Sequence, residues 1–155
     1  LEARWPWMDS SRIGIYGRSG GGNDSMNAIF RHPDVYSTAM PGAGLSHHRY
    51  YHAAFTERFL GLPQDNPDAY EATAPVNVAE NLRGNLLLIH GTGDPNVHFQ
   101  NAEALSNALI TAKKRFTIMP YPNRPLGIPD RYHLHDLYLW FLEKNMPAGN
   151  GGGTR

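Results

Sequence analysis

No cysteine occurs among the 155 residues, which excludes disulfides, thiolate metal sites and a thiol nucleophile. The absence leaves the compartment open, because secreted proteins can also do without cysteine. Net charge is absent as well: fourteen basic residues balance fourteen acidic ones, so long-range attraction to nucleic acid or to an anionic membrane is not expected, and partners must be recognised locally. No apolar run is long enough to cross a bilayer, so no membrane segment is expected. Leu1 is not an initiating methionine and no basic-then-apolar leader follows it, so the chain is expected to be a piece of a longer protein or a processed product. There is no internal repeat.

What is present fits a globular domain. A hydrophobic content of 41% with 18% charged residues describes one soluble unit, able to bury about two thirds of its unfolded surface. Short apolar runs alternate with longer amphipathic ones, the pattern of strands and helices taking turns around a parallel sheet. Strands are expected at residues 12–16, 37–40, 85–90 and 116–121. The run "NLLLIH" is apolar on both faces, as a central parallel strand should be. Helical spacing is found in 23–32, 50–60, 101–114 and 133–145. In the third of these Ala102, Leu105, Leu109 and Ala112 form one stripe, and in the last Leu134, Leu137, Leu139, Phe141 and Leu142 form a broader one. Residues 63–68 are read as a loop, and 148–155 as a disordered tail after a domain that ends near Pro147. The expected fold class is α/β, with helices on both faces of the sheet.

The first site candidate is Gly17-Arg18-Ser19-Gly20-Gly21, which follows an expected strand and precedes an expected helix. This is the context that a Gly-x-Ser-x-Gly nucleophile elbow requires. A serine on so sharp a turn has a strained backbone, and a Cβ at Gly17 or Gly21 is expected to clash with the chain passing beside it. Its Oγ then stands above the carboxyl ends of the strands, where ligands bind in open α/β sheets, with the N–H of Gly20 as an oxyanion donor. Two other readings stay open: a glycine-rich loop with an idle serine, and a phosphate loop. Against the latter, Asn23 and Asp24 replace the lysine and hydroxyl residue that such a loop needs.

The second candidate is "HGTGDPNVHFQ", residues 90–100, which follows the strongest strand at the same end of the sheet. Asp94 is the natural acid for a triad in the order nucleophile, acid, base. Gly-Asp-Pro-Asn is equally good turn chemistry, and the pairing with Ser19 is what favours the catalytic reading. His47, His48 and His52 invite a metal reading, but no carboxylate signature accompanies them and no metal is assigned.

The stretches "RIGIYGRSGGG", "YYHAAFTERFLGLP", "NLLLIHGTGDPNVHFQ" and "YPNRPLGI", in that order, resemble the carboxyl-terminal part of the catalytic domain of the prolyl oligopeptidase family, nearest its dipeptidyl peptidase IV branch. The resemblance covers about Trp5 to Pro147. It implies an α/β-hydrolase fold, partial here, with Ser19 as nucleophile and Asp94 as triad acid. Tyr51 and Val97 match positions walling the pocket for the residue before the cleaved bond, often proline or a small residue. Phe55 stands where a pocket tyrosine is expected, Asn96 matches a side chain that holds a substrate carbonyl, and Glu57 and Arg58 match a structural pair in the loop behind the pocket. A peptide substrate is implied, no cofactor is, and the family setting implies a homodimer and a periplasmic or extracellular location.

The same resemblance exposes what is missing. Relatives carry a histidine, the general base, where this chain has Leu126, and the loop before "RYHLHDLYLWFL" is a few residues shorter. A leucine cannot take a proton from a hydroxyl, and loss of the histidine lowers kcat by roughly 10⁶. His133 is the nearest substitute, seven residues on, with His135 beyond it, and both are expected in the first turns of the last helix. Arg18 replaces a usual tryptophan and Pro95 a common second aspartate. The upstream part of a hydrolase domain, a β-propeller, the second oxyanion donor and the acidic anchors for a substrate amino terminus are not in this chain. The expectations are a serine peptidase of this family with impaired turnover, or an inactive relative that binds peptides or protein partners, with an esterase of the same fold as a third reading.

Overall fold

The computed structural model describes residues 4, 5 and 7–147. Four strands form one sheet: β1 (Gly14–Arg18), β2 (Thr38–Gly42), β3 (Asn85–Gly91) and β4 (Thr117–Tyr121). All neighbours are parallel and the order across the sheet is the order in sequence, so the chain advances one strand at a time with a crossover after each. The α-helices are α1 (Gly20–Arg31), α2 (Ala53–Leu60), α3 (Pro67–Ala72), α4 (Gln100–Thr111) and α5 (Arg131–Asn145).

The period-two geometry of β3 explains why its sequence is apolar throughout. Leu86 and Leu88 turn to one face, where they pack with Met26, Ile29 and Phe30 of α1 and Leu105 and Leu109 of α4. Leu87 and Ile89 turn to the other, against Leu137 and Phe141 of α5. Helices therefore cover both faces, as the alternating pattern requires.

Several boundaries differ from the sequence expectation for local reasons. Residues 10–12 form a 3₁₀ turn instead of starting β1, because Asp9 caps it: the carboxylate accepts the Ser11 N–H at 3.0 Å and pairs with Arg12 Nε at 2.6 Å. β1 runs on to Arg18, directly into the turn at Ser19. The expected loop at 63–68 gives way at Pro67 to α3, followed by a 3₁₀ segment at Pro75–Asn81. The anchor there is Tyr70, fully buried, whose hydroxyl donates to the Gly61 carbonyl at 2.8 Å. Glu57 and Arg58 lie inside α2, not in a loop. The α5 stripe is narrower than expected: Leu137 and Phe141 are buried, while Leu139 is 46% exposed. The tail at 148–155 lies outside the described residues.

Candidate active site

Ser19 sits between β1 and α1 with φ 57° and ψ −120°, a combination that a side chain rarely adopts. Its N–H donates to the Gly42 carbonyl at 2.9 Å, and its own carbonyl accepts from Gly22 and Asn23, so the bend is held at three points. The hydroxyl makes no capping bond to the helix. Gly20 opens α1, so its N–H has no carbonyl one turn earlier to accept it. The surrounding glycines are required at Gly17 and Gly22, and here the sequence expectation is corrected. A Cβ at Gly17 would fall 2.3 Å from the Gly21 carbonyl oxygen, and one at Gly22 2.7 Å from that of Gly42. A Cβ at Gly21 would meet nothing within 4 Å, because it is the backbone of Gly21, not an added side chain, that crowds Gly17.

Asp94 lies in the turn after β3 and is 5% exposed. Its Oδ1 accepts the backbone N–H groups of Asn96 at 2.9 Å and Val97 at 3.0 Å. Oδ2 is buried with no hydrogen-bond partner among the described residues. His90 Nε2 stands 3.7 Å from that oxygen, but it donates to the Val97 carbonyl at 2.7 Å. Burial holds the His90 pKa below the usual histidine value, outweighing the Val97 carbonyl and the Asp94 carboxylate, so the ring is neutral and the contact is not an ion pair. One oxygen of a buried carboxylate is thus fixed by the backbone and the other is left open, the division of labour that a triad acid uses when an imidazole N–H completes it.

The loop that carries position 126 bridges the two motifs. Gly93 N–H donates to the Arg124 carbonyl at 3.2 Å, Thr92 N–H to the Tyr121 carbonyl at 2.9 Å, and Asn123 N–H to Thr92 Oγ1 at 2.9 Å. Leu126, at its far end, lines a cavity with Gly17 and Arg18, the residues just before Ser19. His133 is on α5 with its Nδ1 2.8 Å from the Tyr121 hydroxyl, and both it and His135 are exposed.

Tyr51, His52 and Asn96 meet in one cluster. Asn96 Oδ1 accepts from the Tyr51 hydroxyl at 3.1 Å and from His52 Nε2 at 2.9 Å. Phe55 stacks edge-on against Tyr51 with ring centres 5.5 Å apart and is 49% exposed. Val97 is fully buried and reaches the site through its backbone, which holds both Asp94 and His90. The three histidines after β2 go separate ways: His47 Nε2 to Glu71 at 3.3 Å, His52 to Asn96, and His48 with its Nδ1 buried and unpaired. Among the described residues no group of three His, Asp or Glu side chains is placed to hold a metal.

Two buried asparagines that sequence reasoning did not single out hold these loops together. Asn23 donates to the Leu45 carbonyl at 2.7 Å, joining the start of α1 to the loop after β2. Asn101 accepts the Ser46 N–H at 3.0 Å and donates to the Tyr50 carbonyl at 3.5 Å, tying that loop and the Tyr51 region to the start of α4. Their signal in the sequence was only a polar residue at an apolar helical position.

The model of the prolyl oligopeptidase family matches residues 1–146. Among similar proteins, a probable dipeptidyl peptidase 4 of Aspergillus clavatus is 36% identical over 143 residues, covering 89% of this chain and 18% of the relative. Human dipeptidyl peptidase 8 is 32% identical, over 94% of this chain and 17% of its own length. The crystal structure of Porphyromonas gingivalis dipeptidyl peptidase 4 superposes with a TM-score of 0.90 at 33% identity, covering 93% of this chain and 21% of that one. The chain spans less than a fifth of the length of these two curated relatives. With a family match over nearly its whole length, this chain belongs to the prolyl oligopeptidase family.

Proposed function

We propose that this chain is the carboxyl-terminal portion of the hydrolase domain of a dipeptidyl-peptidase-like serine peptidase, with Ser19 as nucleophile, Asp94 as acid and Gly20 N–H as one oxyanion donor. Tyr51, Phe55 and Asn96 form the receiving side for a peptide with proline or a small residue before the cleaved bond, while buried Val97 serves by its backbone N–H to Asp94. Leu126 occupies the base position, so the chain as it stands binds peptides better than it cleaves them.

One observation carries this reading: a backbone-anchored Asp94 carboxylate keeps its second oxygen buried and unpaired, while Ser19 is held in a strained bend at the same end of the sheet. Leaving a buried acceptor unpaired costs about 1–3 kcal/mol. A protein retains such a cost readily where a hydrogen-bonding partner belongs, and in this family that partner is an imidazole. His133 does not answer the need, since its ring is turned to Tyr121.

The test is labelling of the folded chain with an active-site phosphonate, followed by mass spectrometry. The unaltered chain should label slowly and Leu126→His faster, at Ser19 in each case, with none in Ser19→Ala. Stoichiometric rapid labelling of the unaltered chain would overturn the missing-base reading. Labelling of Leu126→His at a residue other than Ser19 would overturn the nucleophile assignment.

A further inference from the structure

On the α5 face of the sheet, a row of paired residues runs from Arg18 through Gly42 to Ile89. The middle position has no side chain, so the row has a gap where the neighbouring rows are filled. That gap is the floor of a cavity of about 230 Å³. Its walls include Ile89, Leu126 and Ile128, and Tyr138 reaches into it from α5. Leucine at position 126 matters here, because an imidazole in its place would make this wall polar.

Two donors stand at the cavity without protein partners. Arg18 is exposed and takes part in none of the ion pairs among the described residues. The Tyr138 hydroxyl makes no hydrogen bond among the described residues, and burial raises the phenol pKa, so it remains a donor at neutral pH. Arg18 and Tyr138 both line this cavity, on the β1 and α5 sides of it. A mostly apolar cavity with a few converging polar groups is the form that small-molecule sites take.

We propose that this cavity binds a small carboxylate with an apolar body, its anionic end held between the Arg18 guanidinium and the Tyr138 hydroxyl and its body seated over Gly42 against Ile89, Leu126 and Ile128. Charge complementarity selects the anion, since Arg18 is the cation among the lining residues and no carboxylate is among them. Size selects the body: a cavity of about 150 Å³ accommodates benzene, so this one takes a phenyl ring with a short chain. The cavity adjoins the Ser19 bend through Gly17, Arg18 and Leu126, and binding there does not depend on Ser19 being reactive.

The probes are 3-phenylpropionate and its neutral amide, titrated into the whole chain and followed by methyl NMR. The acid should bind saturably, with shifts at the methyl groups of Ile89, Leu126 and Ile128. The amide should bind about tenfold more weakly, as should the acid to Arg18→Gln, the loss expected for one charge-assisted hydrogen bond. Arg18→Lys should recover part of the affinity and Tyr138→Phe should weaken it two- to threefold. Arg18 is exposed, so its variants should fold as the parent does. Equal affinity for acid and amide, unchanged affinity in Arg18→Gln, no binding of the acid, or methyl shifts confined to Val97, next to Asn96, would each overturn the proposal.

Discussion

The ring of His90 lies 3.7 Å from Asp94 Oδ2 without serving it, because its Nε2–H donates to the Val97 carbonyl at 2.7 Å. His90 is therefore a positioning residue: it fixes Val97, whose N–H in turn fixes Asp94 Oδ1 at 3.0 Å. The consequence for stability follows from its protonation. Burial keeps its folded pKa below the usual 6.5, so the unfolded chain takes up a proton first as pH falls. Its contribution is fully present above pH 6.5 and is lost as pH falls from there toward the folded pKa, at no more than about 1.4 kcal/mol per pH unit for one proton. His48, lowered by burial and by His47, acts in the same direction. Urea denaturation from pH 7.5 to 5 should show falling stability for the parent and a shallower slope for His90→Gln. An unchanged slope would mean that His90 is protonated in the folded chain.

The bend at Ser19 makes a separate prediction about four neighbouring positions. Gly17→Ala places a Cβ 2.3 Å from a backbone oxygen that cannot move aside, so it should destabilise by about 3 kcal/mol or more. Gly20→Ala and Gly21→Ala meet open space and should be neutral or stabilising by up to about 1 kcal/mol, from helix propensity. Ser19→Gly should stabilise by about 1 kcal/mol, since glycine tolerates φ 57° and ψ −120° better than serine does. Denaturation midpoints measure all four. Stability gained by removing the proposed nucleophile is the mark of strain held for function.

The sheet and the elbow were legible because each rests on a local rule. β3 announced itself by being apolar on both faces, and Ser19 by glycines between a strand and a helix. Asp94 was legible only through its place after β3, and its unpaired oxygen was not, because a hydrogen bond that is absent leaves no trace in sequence. α3 was missed since it is held by contacts from outside its six residues, among them Tyr70 to the Gly61 carbonyl, Arg31 to the Ala72 carbonyl and Arg49 to Glu71. The convergence of His52 on Asn96, 44 residues away, had no local signal at all.

Replacing Leu126 with histidine tests how much of the triad the loop still supports. The loop is fixed to the turn after β3 by the contacts of Gly93 with Arg124 and of Asn123 with Thr92, so a side chain at 126 stays anchored relative to Asp94. On the proposed function Leu126 stands where the base belongs, and a base is worth up to roughly 10⁶ in kcat in a complete triad. With Gly20 N–H as the proposed oxyanion donor, a partial recovery is expected: phosphonate labelling of Ser19 should rise at least tenfold in Leu126→His. His133→Ala should leave labelling of the parent unchanged, because that ring is bonded to the Tyr121 hydroxyl. A loss of labelling in His133→Ala would make His133 the base.

Asn96 supplies the last prediction. Its Oδ1 accepts from both the Tyr51 hydroxyl and His52 Nε2, and its backbone N–H donates to Asp94, so oxygen and backbone are occupied and the side-chain NH₂ group remains for a ligand. On the proposed function, that amide donates to an incoming peptide carbonyl, with the Tyr51–Phe55 aromatic pair beside it for an apolar ring such as proline. Asn96→Asp keeps an acceptor for Tyr51 and His52 while replacing the donor by a second oxygen. It should leave the denaturation midpoint nearly unchanged and weaken binding of alanyl-proline about tenfold by calorimetry, from one lost hydrogen bond and a new repulsion against the carbonyl. Phe55→Ala should weaken the same dipeptide but not dialanine, since only the former presents a ring to the aromatic face. Equal loss for both dipeptides would move the proline contact elsewhere, and unchanged binding in Asn96→Asp would remove Asn96 from the substrate site.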